Sequence, residues 1–164
     1  MRNVVLGLSG VITLVLLAGC AGGAAQESAA PQSKQPPGDK VDCAKLAPAE
    51  QIGTALGKPV RQEQLPQGMS RFPSCSLMPE GGGLVSVQWP PKAMPGGKPA
   101  SFHGNAASVR TGGGVRQSAC ALDITLNGDT KQVMTVNVDL YGKAGGDPCQ
   151  ATRKVAGVVF DRLT

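Results

Sequence analysis

The sequence predicts an α+β domain: an antiparallel sheet of about four to six strands, an N-terminal and a C-terminal helix packed on it, and two disulfides. Three observations carry this. Residues 121–140 alternate apolar and polar side chains around an Asn127-Gly128 turn signal, the pattern of a hairpin with one buried face. Amphipathic helical patterns stand at both ends of residues 41–164. Four cysteines, Cys43, Cys75, Cys120 and Cys149, fall at helix starts and in strand-like runs between them.

Taken in order, Asp42-Cys43-Ala44-Lys45-Leu46 opens a helical turn, and Pro48-Ala49-Glu50 starts the helix proper, with proline in the first turn and a carboxylate near the positive end of the dipole. Gly57 ends it. Leu46, Ile52, Ala55 and Leu56 share a face suited to packing on a sheet. Residues 58–68 are polar, with room for a short edge strand around Val60. Residues 72–78 and 84–89 read as paired strands across the loop Pro79-Glu80-Gly81-Gly82-Gly83. In the second of these Val85, Val87 and Trp89 point one way and Leu84, Ser86 and Gln88 the other. Pro90-Pro91 stops the strand.

Residues 90–114 are rich in proline and glycine and fit no long element, although a short strand near residues 106–110 turning at Gly112-Gly113-Gly114 is compatible with them. Irregular stretches of this length inside a compact domain are functional loops or mobile ones. The hairpin follows: Leu122, Ile124 and Leu126 inward, then Met134, Val136, Val138 and Leu140 inward, with Thr135, Asn137 and Asp139 outward. Asp147-Pro148-Cys149 supplies a cap and a first-turn proline, and Thr152, Val155, Ala156, Val159, Phe160 and Leu163 recur at helical spacing.

The amino terminus has a separate character. Met1-Arg2-Asn3 is a short cationic head, and the apolar run that follows reaches Gly19, on the order of 24 Å as helix against roughly 30 Å of hydrocarbon. It is short for a permanent span. No cationic cluster follows it, so residues 1–19 read as an export signal that is removed. Leu17-Ala18-Gly19-Cys20 resembles the lipobox of bacterial lipoproteins, which implies that Cys20 carries a diacylglyceryl group and becomes the first mature residue. Anchoring by more than one chain is stable where a single chain is marginal. Residues 21–40, rich in Ala, Gln, Ser, Pro and Gly, have nothing to bury and read as a disordered tether. The expected location is the outer face of the cell membrane, with residues 41–164 forming one extracytoplasmic domain.

Setting Cys20 aside leaves an even number of cysteines in an oxidising compartment, which points to two disulfides. Three connectivities are possible. Cys43 with Cys75 and Cys120 with Cys149 is preferred, since each pair then joins a helix start to a strand in its own half. Zinc is excluded on spacing: there is no C-x-x-C, and the sole histidine, His103, is far in sequence from every cysteine. No cofactor is implied.

Charge narrows the partners. The chain carries 16 Lys and Arg against 11 Asp and Glu, with no basic run longer than the pair Arg153-Lys154 and few aromatics, so nucleic acid lacks both a phosphate stripe and a stacking platform. The mild excess suits solubility and weak attraction to anionic wall polymers or lipid heads.

Two signatures then stand together: Cys43-Ala44-Lys45-Leu46-Ala47-Pro48-Ala49-Glu50 running to Ala55-Leu56-Gly57, and Gly146-Asp147-Pro148-Cys149 opening the last helix. With the lipobox and the four cysteines they resemble the actinobacterial lipoprotein family of the domain-of-unknown-function 3558 type. The resemblance implies a cell-envelope domain without an established activity, and it brings no catalytic residues.

Catalytic constellations are not legible in the chain. A serine-histidine arrangement could be built only around His103, and no G-x-S-x-G occurs after residue 20. The glycine runs near Gly81, Gly112 and Gly145 lack phosphate-loop spacing. Asp123 and Asp139 share the outward hairpin face, as polar residues on any half-exposed sheet do. The expectation is therefore a non-catalytic, lipid-anchored binding or sensing module that meets an envelope protein, a wall polymer or a small apolar ligand. Its contact surface would be residues 90–114 with the outward hairpin face, and its candidate contact residues are Trp89, Phe102, His103 and Arg110. The alternatives are a carrier holding an apolar ligand between helix and sheet and an envelope hydrolase with an unrecognised site.

Overall fold

The computed structural model describes residues 30–38, 40–63, 70–112, 119–141 and 146–164. The expected export signal, Cys20 and the first part of the expected tether lie outside them. Among the described residues three helices, α1 (Cys43–Leu46), α2 (Ala49–Leu56) and α3 (Pro148–Phe160), accompany seven strands: β1 (Val60–Glu63), β2 (Ser74–Pro79), β3 (Gly83–Gln88), β4 (Lys98–Phe102), β5 (Asn105–Thr111), β6 (Ala119–Thr125) and β7 (Val133–Leu140). One antiparallel sheet runs in the order β1-β2-β3-β7-β6-β5-β4. The α+β class, the two terminal helical regions and both preferred bridges are present.

The sheet is wider than four to six strands because one edge carries a strand, β4, that its pattern does not announce. At one edge β4 and β5 occupy most of residues 98–111, a stretch read as irregular apart from a short strand. Pro99 sits in the edge strand, where its missing N–H is tolerated. The turn between them is His103-Gly104, both with positive φ (47° and 76°), between the paired residues Phe102 and Asn105. Positive φ at both central residues is what a two-residue hairpin turn requires, and His-Gly is a weaker sequence signal for it than Asn-Gly.

Alternation sorts the strands onto two faces. Cys75, Val87, Val136, Leu122 and Val109 form one row across the sheet, and Leu77, Val85, Val138 and Cys120 the next. These rows meet Ile52 of α2 and Val155, Ala156, Val159 and Phe160 of α3 in one core. Asp147 caps α3 by accepting from the Cys149 amide at 2.9 Å, and Gly57 closes α2 with φ 68°. The bridges Cys43–Cys75 and Cys120–Cys149 fasten the starts of α1 and α3 to β2 and β6, with Cα atoms 5.4 and 5.0 Å apart. Each closes a loop of about 30 residues and contributes about 3 to 4 kcal/mol in the chain-entropy account.

The tether differs from expectation where it meets the domain. Ser33 Oγ and the Lys34 amide both donate to Asn127 Oδ1, at 2.8 and 2.7 Å. The Gln35 amide donates to Thr164 O at 2.6 Å, and Lys34 Nζ donates to Leu163 O at 2.8 Å. Low hydrophobicity deprives this segment of a core of its own, but the β6–β7 turn and the chain end offer it unpaired acceptors.

Candidate functional site

The second face of the sheet carries no helix among the described residues. Its rows are Ser76, Ser86, Asn137, Ala121 and Arg110, beside Ser74, Gln88, Thr135, Asp123 and Ser108. The five neighbouring strands β2, β3, β7, β6 and β5 thus place small or polar side chains here. The face is nevertheless enclosed: Ser76, Ser86, Ala119, Ala121, Asp123 and Thr135 are all buried.

The centre of this face is a charged pair. Arg110 Nε donates to Asp123 Oδ2 at 3.1 Å and Nη2 to Oδ1 at 3.2 Å, a bidentate fork that fixes the guanidinium plane. Thr135 Oγ1 donates to Asp123 Oδ1 at 2.7 Å, and Ser108 Oγ approaches Oδ2 at 3.4 Å. The carboxylate is sealed, with its side chain 1% exposed, while the arginine side chain keeps 22%. Gly97 runs against this pair: a Cβ there would lie 2.6 Å from Ser108 Oγ and 3.3 Å from Arg110 Cγ. Glycine is what lets the chain leading into β4 pass so close to the arginine.

Beside the pair is a concavity of about 220 Å³ lined by Ser86, Gln88, Met94, Arg110, Gly112, Ala119, Ala121, Thr135, Asn137 and Asp139. Ala119 and Ala121 make its floor, since their short side chains leave space between Arg110 and the polar groups of β7. Met94, 44% exposed, stands on its rim. The 90–114 segment and the outward hairpin face therefore do meet in one depression.

Of the four candidate contact residues, Arg110 alone lines it. Trp89 is 6% exposed and belongs to the core, because it continues the inward alternation of Val85 and Val87. Phe102 is also a core residue, packed edge-on against Phe160 with ring centroids 5.6 Å apart. His103 is at the outer edge of the sheet, exposed on the β4–β5 turn, where its ring stacks on Phe160 at 5.4 Å. Both Phe102 and His103 border a different surface depression with Arg153. The sequence places Asp123, Thr135 and Asn137 on the outward hairpin face without singling them out as contact residues, and it does not single out Ser108. Their signal was the run of small and polar residues at alternate positions on successive strands, which looks like solvated surface until the sheet order is known.

No family model, no curated protein and no solved structure matches this chain.

Proposed function

We propose that this chain is a non-catalytic, lipid-anchored binding module of the bacterial cell envelope, and that the concavity on the second face of the sheet is where it takes its ligand. The observation that carries this reading is the Arg110–Asp123 pair held within an enclosed polar surface. Replacing a buried ion pair by apolar residues of similar volume is often neutral or stabilising, so folding alone gives little reason for it. A recognition surface does: it needs a directed, fixed donor beside a floor of small residues. The sequence features at Cys20 and the resemblance to the 3558-type lipoproteins support the anchor and the compartment.

A polar ligand suits this face better than the apolar cargo considered above, because the layer between helices and sheet is filled by Val85, Val87, Val136, Val138, Val155, Val159 and Phe160, each fully buried. Photocrosslinking in the envelope tests the reading. A photoreactive residue at position 94, on the rim, is expected to capture a component that the same probe at exposed Lys154 of α3 does not, and Ala121→Leu should abolish the capture. Identical products from both positions would contradict it.

A further inference from the structure

A guanidinium group has two edges that can each grip a planar oxyanion: the side edge formed by Nε and Nη2, and the end edge formed by Nη1 and Nη2. In Arg110 the side edge is taken by Asp123. The described residues give the end edge no partner, and Arg110 is part of the lining of the concavity. From this geometry, and resting on the reading of the concavity as a binding site, we infer that its ligand presents a carboxylate to the end edge of Arg110: the ligand is a small amino acid or the carboxy-terminal residue of a short peptide.

Three features select that class. The first is rigidity. Asp123 is itself held by Thr135 and Ser108, so the arginine loses little side-chain freedom on binding, which is the main cost of using a long cationic side chain. The second is charge. Asp123 already offsets the arginine, so the pair has little net charge to set against a phosphate dianion, whereas a monoanion needs no more than the paired hydrogen bonds of one flat edge. The third is size. About 220 Å³ over Ala119 and Ala121 is below the usual range for a drug-sized ligand and accommodates one small residue, and Asn137 and Gln88 add amide side chains to the lining.

The test is titration of the full chain in mild detergent with dialanine, dialanine carboxamide, free alanine and inorganic phosphate, read by the NMR shifts of the Arg110 Nε–H and the Asn137 side-chain amide. Dialanine is expected to bind, and amidation to weaken it at least tenfold. Arg110→Lys, which keeps the charge and loses the flat edge, should weaken it similarly. Ala121→Leu, which leaves the ion pair in place and fills the floor, should remove binding and also provides a variant whose folding does not depend on Arg110. Binding of alanine as tight as that of dialanine would assign the site to the free amino acid; a clear preference for dialanine would assign it to a peptide end.

Equal affinity for acid and amide, preference for phosphate, or no binding by any probe would overturn the carboxylate assignment. These results are separable from failure of the broader reading. Probes that bind regardless of their carboxylate and are lost in Ala121→Leu would leave the concavity a binding site of another specificity. Absence of position-specific crosslinks at residue 94 would remove the broader reading itself.

Discussion

The two faces of the sheet are built from the same strands, residue by alternate residue, yet they solve opposite problems. On the helix side, Leu77, Val85, Val136 and Leu122 meet Val155, Val159 and Phe160, and almost nothing polar is present. On the other side the neighbours of those same residues are Ser76, Ser86, Thr135, Ala121 and Asp123, buried to a similar degree. Apolar burial gives stability roughly in proportion to area, whereas buried polar groups must find partners merely to avoid a penalty. Ser76 Oγ has not found one among the described residues. The contrast teaches that one face is enough to hold the fold, which frees the other to keep a fixed charge pair and a depression beside it.

That division can be broken most severely on the helix side. Phe160 is fully buried where α3, the sheet and the β4–β5 turn converge, so Phe160→Ala is expected to lower stability by about 3 to 5 kcal/mol, measured by urea unfolding with both bridges intact. A loss under about 1 kcal/mol would mean that the helix face is not the main source of stability.

The polar face is sensitive in a different way. Arg110→Met leaves the sealed Asp123 carboxylate without its cation and should cost about 3 kcal/mol, with the Thr135 hydroxyl still in place as its remaining strong partner. Stability within error of wild type would show that the pair is loosely held. Gly97→Ala sharpens the comparison further. The added methyl group would press on Ser108 and Arg110, so a moderate loss of about 1 to 2 kcal/mol should come with displaced NMR signals from Arg110 and Asp123 and little change in the core valines. Shifts spread evenly over both faces would contradict their independence.

The difference between the faces also explains what the sequence disclosed. Alternation in residues 121–140, the Asp147-Pro148 helix start and the Gly57 stop depend on near neighbours, and each was legible. The pairing of cysteines was one preference among three connectivities, on the ground that each bridge then joins a helix start to a strand, and the structure has that pairing. The site was only half legible. Its two contributing regions, residues 90–114 and the outward hairpin face, could be named, but Arg110 and Asp123 are 13 positions apart and become partners only through the β5–β6 register. Trp89, whose alternation with Val85 and Val87 already favours the core over a contact role, and Phe102 are both core residues in the structure. His103 drew notice as the sole histidine; its place is a hairpin turn that stacks on Phe160. The docking of Ser33 and Lys34 on Asn127 had no local signal, since it joins residues 94 and 93 positions apart.

The central claim is that the buried ion pair is retained for recognition and not for folding. Replacing both partners together, Arg110→Met with Asp123→Leu, tests it by the free energy of unfolding in urea. The account predicts a change of no more than about 1.5 kcal/mol in either direction, smaller than for Arg110→Met alone, because the apolar pair leaves no uncompensated charge. A loss of about 3 kcal/mol or more would contradict it, by showing that the fold itself requires a polar second face.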